Sequence, residues 1–397
     1  MFDVLSQKTF RRLFMAQVVA LIGTGLATVS LGLLAFDIAG GNAALVLGIV
    51  FTIKMIAYVT IAPIAGAFAD RLPRRVTLVT LDIVRATVAL ALPFVSEIWQ
   101  IYLLILALQA ASAAFTPTFQ AVIPDILPDE GDYTRALSLS RMAYDLEAMI
   151  SPVLAAAALT LVTYNVLFAG TAMGFVASAL LVGSVVLPNV KPKPPRPIFE
   201  RTTRGIRRYL SQKELRALLA LCFAVSSAIS MVLVNTVVLV QGELGLSPRA
   251  VALSLAAFGV GSMTSALLLP RLLERFGDRS IMLPGAAVMA VCLLGFSLWT
   301  ALAGPSWVVL LVIWALLGMS NSAVMTPSGR LLRRASDTSD RPELFAAQFA
   351  LPHACWLISY PMAGTLMTFT GPVVTSAILG TLALISFWVA RGIWRLP

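Results

Sequence analysis

Long apolar stretches, separated by short polar and basic segments, dominate the chain. As helices, stretches of about 18 or more such residues are long enough to cross roughly 30 Å of hydrocarbon. A single strand leaves backbone groups unpaired in lipid, and the weakly alternating segments of a membrane barrel are missing from the sequence. The pattern therefore predicts an all-α membrane protein.

We interpret the pattern as twelve membrane-spanning helices. They are expected near residues 12–37, 45–69, 76–95, 99–123, 135–160, 165–187, 215–240, 248–270, 280–303, 306–327, 343–368 and 372–392. The longest intervening segment divides them six and six. We therefore expect an N-terminal six-helix bundle (1–187), a basic proline-rich cytoplasmic linker (188–214) and a C-terminal six-helix bundle (215–397). Within the linker, Ile198–Leu210 is compatible with an amphipathic helix on anionic lipid or with an ordinary basic connection.

Three sequence landmarks recur in the same order in both halves. A Thr-Pro pair occurs in "FTPTFQ" and in "MTPSGR", and Pro152 and Pro361 each follow about 35 residues later. "ADRLPRRVTL" is echoed by "LERFGDRSIM" at the matching place. The two halves are therefore expected to be pseudo-symmetric copies. Repeated six-helix halves are typical of transporters with a substrate site near the midplane of the membrane.

Charge indicates topology rather than nucleic-acid binding. Charged residues make up only 12% of the chain, yet the formal net charge is +10. With the N-terminus inside, every lysine and arginine falls in a cytoplasmic segment except Lys54, Arg85, Arg141 and Arg249. By the positive-inside rule, both termini are expected to be cytoplasmic, in a multi-pass protein of the bacterial inner membrane.

Motifs for metals, cofactors and catalysis are missing from the sequence. Cys222, Cys292 and Cys355 lie in apolar stretches without a CxxC pair, which disfavours a disulfide framework or a zinc site. The chain contains no Walker motif, no G-x-S-x-G and no H-E-x-x-H. We expect a protein that is not an enzyme and that needs no cofactor.

The segment "GAFADRLPRR" between spans 2 and 3 resembles the loop signature of the major facilitator superfamily, with Pro73 in place of the usual glycine. "AAFTPTFQAVIPDILPDE" resembles the span 4 exit of the branch that holds macrolide, enterobactin and nickel exporters, and "SPVLAA" is a remnant of the antiporter signature of span 5. The resemblance implies the major facilitator fold of two six-helix halves.

The same resemblance implies that the loop acts as an inner gate, in which Asp70 meets the start of span 11 and nearby arginines. A carboxylate is favoured at a helix N-terminus and accepts charge-assisted hydrogen bonds from guanidinium groups. Positive-inside anchoring is the alternative for the arginines. The expected gate residues are Gly66, Asp70, Arg71, Arg74, Arg75, Asp82 and Arg85.

Ionisable residues in the apolar spans are the candidates for proton coupling, because charge is costly in the bilayer. We assign this role to Glu147, Asp145 and His353. Arg141 lies four residues before Asp145, so these two side chains are able to neutralise each other. A carboxyl group in an apolar cavity can exchange protons near neutral pH, which is what a proton-coupled carrier needs.

His353 is the only histidine of the chain, and three roles are open to it. An imidazole titrates near neutral pH, which suits a proton relay or a substrate contact. By the repeat, His353 corresponds to Tyr144, beside Asp145 in the other half. Cys355 supplies a second soft ligand, but residues i and i+2 lie on nearly opposite helix faces, which disfavours a metal pair. A structural histidine is the third role.

Polar and aromatic residues of the family's cavity-lining spans are the candidates for substrate contacts. They are Lys54, Gln109, Asn235, Asn321, Trp356 and Tyr360. The aromatic rings suit an amphipathic or cationic molecule, and the amides equally suit hydrogen bonds between helices.

Together with the resemblance, which implies the direction of transport, the sequence favours a monomeric secondary transporter. It is expected to export a drug-like small molecule across the plasma membrane by alternating access and proton antiport. Its expected partners are that substrate, protons and the lipid bilayer, with no nucleic acid. Efflux of a divalent metal such as nickel, or of a siderophore, is the alternative within transport. A membrane sensor and an intramembrane enzyme are the alternatives from other classes.

Overall fold

The computed structural model describes residues 2–68, 72–187, 198–335 and 341–395, which are almost entirely helical. The helices are α1 (Lys8–Ala39), α2 (Ala43–Phe68), α3 (Arg74–Ala91), α4 (Ile98–Ile126), α5 (Glu130–Ala158), α6 (Tyr164–Gly183), α7 (Ile198–Ser211), α8 (Lys213–Val237), α9 (Pro248–Phe276), α10 (Arg279–Ala303), α11 (Trp307–Arg334) and α12 (Arg341–Arg395). A π-helical turn, Val238–Glu243, follows α8.

Contacts divide the chain into two compact units. Unit 1 comprises Met1–Ile38 and Ile56–Pro195, and unit 2 comprises Ala39–Met55 and Arg196–Pro397. The first half of α2 therefore packs with unit 2, and its second half packs with unit 1. The expected bundles 1–187 and 215–397 and the linker 188–214 stay a prediction.

Within the described ranges, nine helical stretches are long and apolar enough to cross a membrane. Lys8–Ala65 is one such stretch, but a short 3₁₀ turn at Gly40–Asn42 separates α1 from α2 inside it. Ala347–Arg395 is another, and it is broken at Gly371, whose φ of 76° is outside the helical region. Helix α5 does not qualify. The all-α membrane fold is confirmed, and the count of twelve spans stays a prediction.

The proline landmarks of the repeat lie inside helices. Pro117 is in α4 and Pro327 is in α11, while Pro152 is in α5 and Pro361 is in α12. Proline is tolerated inside membrane helices because neighbouring side chains and small backbone adjustments satisfy the freed carbonyl groups.

In unit 1, α1 packs closely on α6 through small residues. A methyl group added to Gly174 would come within 2.7 Å of the Val19 carbonyl oxygen and 3.2 Å of the Gly23 Cα. Thr171 Oγ1 donates to the Gly23 carbonyl at 2.9 Å. Small residues let membrane helices approach until backbone atoms touch, which is where their packing energy comes from.

In unit 2, α8 is the central helix and is almost completely buried. It packs along α12, where the hydroxyls of Ser226 and Ser359 lie 2.9 Å apart. The linker helix α7 packs on α12 as well, and the fully buried Tyr209 hydrogen-bonds to Gln348. The linker segment is therefore a helix, and one of its faces lies against protein.

Helices α9 and α11 make the tightest backbone contact of unit 2. Gly318 of α11 lies against Phe258 and Ser262 of α9, and Gly261 of α9 lies against Ala315 of α11. Neither position has room for a side chain, so the two backbones are in direct contact.

Replacing Gly318 with alanine is expected to destabilise unit 2 by about 1–3 kcal/mol, the typical cost of overpacking. The added methyl group would overlap the Phe258 carbonyl oxygen and come within 2.9 Å of the Ser262 nitrogen. Thermal unfolding of the purified protein in detergent measures the loss. Gly295→Ala on α10 is the control, because nothing lies within 4 Å of its added methyl group. Equal melting of the two variants would contradict the expectation.

Candidate functional site

Helix α5 carries a polar face made by residues at 4-3-4 spacing. Ser140, Tyr144, Glu147 and Ser151 follow one another at helical intervals and share that face. The Glu147 carboxyl group and the Ser151 side chain lie directly over Gly25 of α1, where a methyl group would come within 2.7 Å of Glu147 Oε1. Ser151 Oγ donates to the Ile22 carbonyl at 3.4 Å. Gly25 thus makes room for the carboxyl group.

Neighbouring helices of unit 1 extend this face into a polar network. Gln17 of α1 accepts a hydrogen bond from Ser140 at 2.9 Å and also hydrogen-bonds to Tyr144. Tyr58 of α2 hydrogen-bonds to Thr116 of α4 and interacts electrostatically with Tyr144. Glu147 interacts with Tyr144 in the same way. The carboxyl group of Glu147 therefore belongs to a connected set of polar side chains inside unit 1. Arg85 of α3 also acts electrostatically on Tyr58 and Tyr144 of this set.

Helix α12 carries the matching face in unit 2. Phe349, His353, Trp356 and Tyr360 repeat the 4-3-4 spacing of the α5 face. By the Thr-Pro offset of about 209 residues that relates the halves, they correspond in order to Ser140, Tyr144, Glu147 and Ser151. One face is polar and carries the carboxyl group, and the other is aromatic.

The aromatic face of α12 is a stack of rings. The rings of Phe349 and His353 lie 4.2 Å apart, and those of Trp356 and Tyr360 lie 4.9 Å apart. Phe51, from the first half of α2, stacks on Tyr360 at 5.0 Å. Tyr360 is only 4% exposed, whereas Trp356 is half-buried. Trp356 is therefore the more accessible of these two expected substrate contacts.

His353 is half-buried, and its Nδ1 is hydrogen-bonded to the Phe349 carbonyl. A carbonyl oxygen only accepts, so Nδ1 carries the hydrogen and Nε2 is the nitrogen left to take a proton or a ligand. Lys54, on the α2 segment that packs in unit 2, acts electrostatically on His353. A metal ion at Nε2 would be repelled by this ammonium group. The described residues also contain no group of three metal-ligating side chains.

Asp82 and Arg85 form a buried ion pair in unit 1. Asp82 is fully buried and Arg85 is 5% exposed. The guanidinium group lies between two rings, 4.1 Å from Phe115 of α4 and 4.5 Å from Phe175 of α6. The pair lies two turns inside α3 from Arg74, so the structure places it in the helix interface and apart from the loop.

At the start of α3, Arg74 forms an ion pair with Asp125 at the end of α4 and donates to the Ala121 carbonyl at 3.2 Å. Arg75 donates to the Gly183 carbonyl at the end of α6. Both arginines thus join helix ends within unit 1. Asp70 and Arg71 lie outside the described residues. The inner gate stays a prediction.

Unit 2 has the same connection with its charges reversed. Asp278 corresponds to Arg74 in the repeat, and its carboxyl group is 1% exposed. It pairs with Arg334 and lies 3.3 Å from Arg330 Nε, both at the end of α11. We call Arg74–Asp125 and Asp278–Arg330/Arg334 the junction pairs, because each ties a helix start to the end of the following helix.

The model of the Major Facilitator Superfamily matches residues 13–238 and again 217–397 of the chain. The chain belongs to the major facilitator superfamily. The two matches together cover most of both halves, in agreement with the internal repeat. The family and the fold are those of transporters, and this member is a multi-pass membrane transporter.

Curated relatives of this transporter are distant. It is 25% identical over 124 residues to the MFS-type transporter YfiS of Bacillus subtilis (strain 168), covering 31% of the chain and 30% of the relative. It is 23% identical over 154 residues to macrolide efflux protein A of Streptococcus pyogenes, covering 38% of each. The matches thus span about a third of those two relatives. Over 87% of the chain and 82% of the relative, it is 21% identical to YvqJ of Bacillus subtilis (strain 168).

Solved structures share the whole fold of this transporter. A crystal structure of the nucleoside transporter NupG superposes with a TM-score of 0.78 at 14% identity, covering 98% of this chain and all of the other. A bacterial homologue of the human lysosomal transporter Spinster, in an inward-facing and unoccupied conformation, gives 0.76 at 12% identity, covering 100% and 98%. Such low identities show the fold alone.

The remaining sequence candidates have varied placements. Asn235 of α8 is fully buried and donates a hydrogen bond to the Ala363 carbonyl of α12 at 3.4 Å. Its side chain therefore joins two helices. Gln109 of α4 and Asn321 of α11 are half-buried. Gly66 lies near the end of α2. The side chains of Asp145 and Arg141 lie outside the described residues, so the expected pairing between them stays a prediction.

Sequence reasoning missed several members of the polar network. Gln17, Tyr58 and Ser140 were not among the expected site residues, although the 4-3-4 spacing on α5 is visible in the sequence. Gln17 and Tyr58 lie on other helices, and nothing in their local sequence indicates which side chains they meet. Asp125 was missed for the same reason, since 51 residues separate it from Arg74.

Proposed function

We propose that this transporter exports a small, drug-like organic molecule across the plasma membrane by alternating access, in exchange for protons. The observation that carries the proposal is the α5 face, where Glu147 lies over Gly25 within a network of hydroxyl and amide groups. An ionisable carboxyl group in such surroundings is suited to take up a proton and later release it.

The chemistry of the α5 face supports proton exchange. Ser140, Tyr144 and Ser151 bear hydroxyl groups, which both donate and accept hydrogen bonds. They are therefore able to stabilise Glu147 as a carboxylate and as a neutral acid.

The aromatic face of α12 supports an organic substrate. Trp356 is half-buried beside Tyr360, and flat rings offer apolar contact area and stacking to planar or amphipathic molecules. The partial match to macrolide efflux protein A agrees with a drug-like substrate and with the direction of transport. The basic helix ends agree with cytoplasmic termini under the positive-inside rule.

Metal efflux has less support. His353 is the only histidine and lies next to a lysine, and the described part of the chain offers no cluster of three His, Cys, Asp or Glu side chains. A divalent ion requires more ligands than this face supplies.

A susceptibility panel tests the proposal. A pump-deficient bacterial host carrying the chain is challenged with macrolides, planar cationic dyes and nickel salts, beside the host with an empty vector. We expect higher tolerance to at least one organic compound and unchanged tolerance to nickel. Adding a protonophore should restore accumulation of that compound. Tolerance to nickel alone would favour the metal alternative, and tolerance that survives the protonophore would contradict proton coupling.

A further inference from the structure

Unit 2 contains a cavity of about 600 Å³ between the start of α10 and the end of α12. It lies at the end of unit 2 where α8 and α10 begin and where α9, α11 and α12 end with basic residues. Its lining residues are Arg279, Ser280, Leu283, Pro284, Ala287, Phe387, Arg391, Trp394 and Arg395. None of them belongs to the α5 or α12 faces described above.

One side of the cavity is strongly basic. Arg279, Arg391 and Arg395 line it, and among the described residues no acidic side chain does. Glu214 pairs with Arg279, which leaves a surplus of positive charge at the cavity. Arg391 lies 5.1 Å from the Trp388 ring and Arg279 lies 5.6 Å from the Trp394 ring, so the aromatic side chains hold the guanidinium groups in place. This side is suited to an anionic group.

Trp394 supplies a second, independent observation. Its side chain is 8% exposed, and in the part of the chain that the structure describes its Nε1 has no hydrogen-bond acceptor. A buried donor without an acceptor costs free energy, and the indole N–H can only donate. The wall of the cavity therefore contains an unmet donor beside the arginines. Nε1 is covered in this structure, so an oxygen atom of a ligand satisfies it once the side chains that cover the indole shift.

The other side of the cavity is apolar. Leu283, Pro284, Ala287 and Phe387 line it, in the direction of the membrane-spanning part of α10 and α12. Within one turn of Phe387, Ile385 and Trp388 are 54% and 55% exposed, as expected for a surface that faces lipid. The complementary ligand therefore has acceptor oxygens and negative charge at one end and a hydrocarbon chain at the other.

We propose that this cavity binds an anionic phospholipid. Its phosphate group contacts Arg391 and Arg395 and accepts a hydrogen bond from Trp394 Nε1, and an acyl chain lies along Leu283 and Ala287. Basic pockets between membrane helices are suited to acidic headgroups. The proposal concerns a site separate from the transport residues and does not depend on the substrate or the coupling ion.

Native mass spectrometry of the full chain in a neutral detergent tests the site. The probes are palmitoyl-oleoyl phosphatidylglycerol, phosphatidylcholine with the same chains, and inorganic phosphate. The variants are Arg391→Gln/Arg395→Gln, and Trp394→Phe, which keeps the ring and removes the N–H. The matched control is Arg271→Gln/Arg275→Gln, which removes two exposed arginines from the same end of unit 2.

We expect phosphatidylglycerol to bind more tightly than phosphatidylcholine. Binding should weaken by about fivefold for each arginine removed from the cavity and by about tenfold in Trp394→Phe, and the control should bind as the wild type does. Thermal unfolding without added lipid shows whether each variant is folded. If Arg391→Gln/Arg395→Gln is not folded, Trp394→Phe still tests the site.

Three outcomes would overturn the proposal. Equal weakening in the control would show general surface charge rather than a site. Displacement of phosphatidylglycerol by millimolar inorganic phosphate would show a site for free anions. Unchanged binding in both the Arg391→Gln/Arg395→Gln and Trp394→Phe variants would show that the lipid binds elsewhere.

Discussion

Replacing Glu147 with glutamine is expected to abolish transport driven by a pH gradient while exchange of substrate for substrate continues. Glutamine has nearly the same shape as glutamic acid, makes similar hydrogen bonds and never releases a proton. The polar face around Gly25, Ser140 and Ser151 is therefore preserved, but the proton cycle is interrupted. Gradient-driven uptake into everted vesicles and counterflow in proteoliposomes measure the two activities separately.

Two matched variants make this result specific. Glu147→Asp keeps a carboxyl group at the position and should retain part of the gradient-driven activity. Glu243→Gln removes an exposed carboxyl group at the end of the π-helical turn and should behave as the wild type. If Glu147→Gln still accumulated substrate against its gradient, the proton would have to be carried elsewhere. Loss of counterflow as well would instead indicate a role of Glu147 in substrate binding or in folding.

The second large effect is on stability. Replacing Asp82 with alanine is expected to cost about 3–5 kcal/mol of unfolding free energy, because it leaves a buried guanidinium group without its counter-ion. Arg85 is 5% exposed and is enclosed by Phe115 and Phe175, so water cannot solvate it. Thermal unfolding of the purified protein in detergent measures the loss.

Two further variants show whether the loss of unfolding free energy comes from the burial of the ion pair or from the loss of a charge alone. Asp132→Ala removes the acidic partner of an exposed ion pair with the same i,i+3 spacing on α5, where Arg135 is 47% exposed. It should cost below about 1 kcal/mol. The double variant Asp82→Leu/Arg85→Met removes both charges and should recover most of the stability. Similar losses in Asp82→Ala and Asp132→Ala would contradict the assignment.

Much of the fold could be predicted because long apolar stretches mark most of the segments that can enter the membrane. The repeat predicts matching positions for Pro117 and Pro327 and for Pro152 and Pro361, and each of these prolines lies inside a helix. Helix α5 shows where hydrophobicity is insufficient: Arg141, Asp145 and Glu147 leave it more charged than the nine apolar stretches of the described residues. Helix α5 is positioned by its packing on α1 at Gly25. A hydropathy profile carries no information about such a contact.

The candidate site was predictable only as far as it lies on single helices. The positions of Glu147 and His353 follow from helical spacing, and the structure places each on a face of four side chains. The partners of these faces come from distant segments: Gln17 lies 123 residues from Ser140. The unmet Trp394 donor was equally hidden, because it depends on which groups surround the indole and not on its neighbours in sequence.

The reversed charges of the two junction pairs constrain how the halves can be recombined. Moving the loop that begins α3 into the place before α10 would put an arginine where Asp278 lies, beside Arg330 and Arg334. Three guanidinium groups would then meet without a carboxylate, and like charges at that distance repel. A chimera keeps a carboxylate facing the guanidinium groups there only if the loop and the end of the following helix are exchanged as one block. The loop and the end of the following helix are therefore expected to have changed together in each half after the two halves diverged.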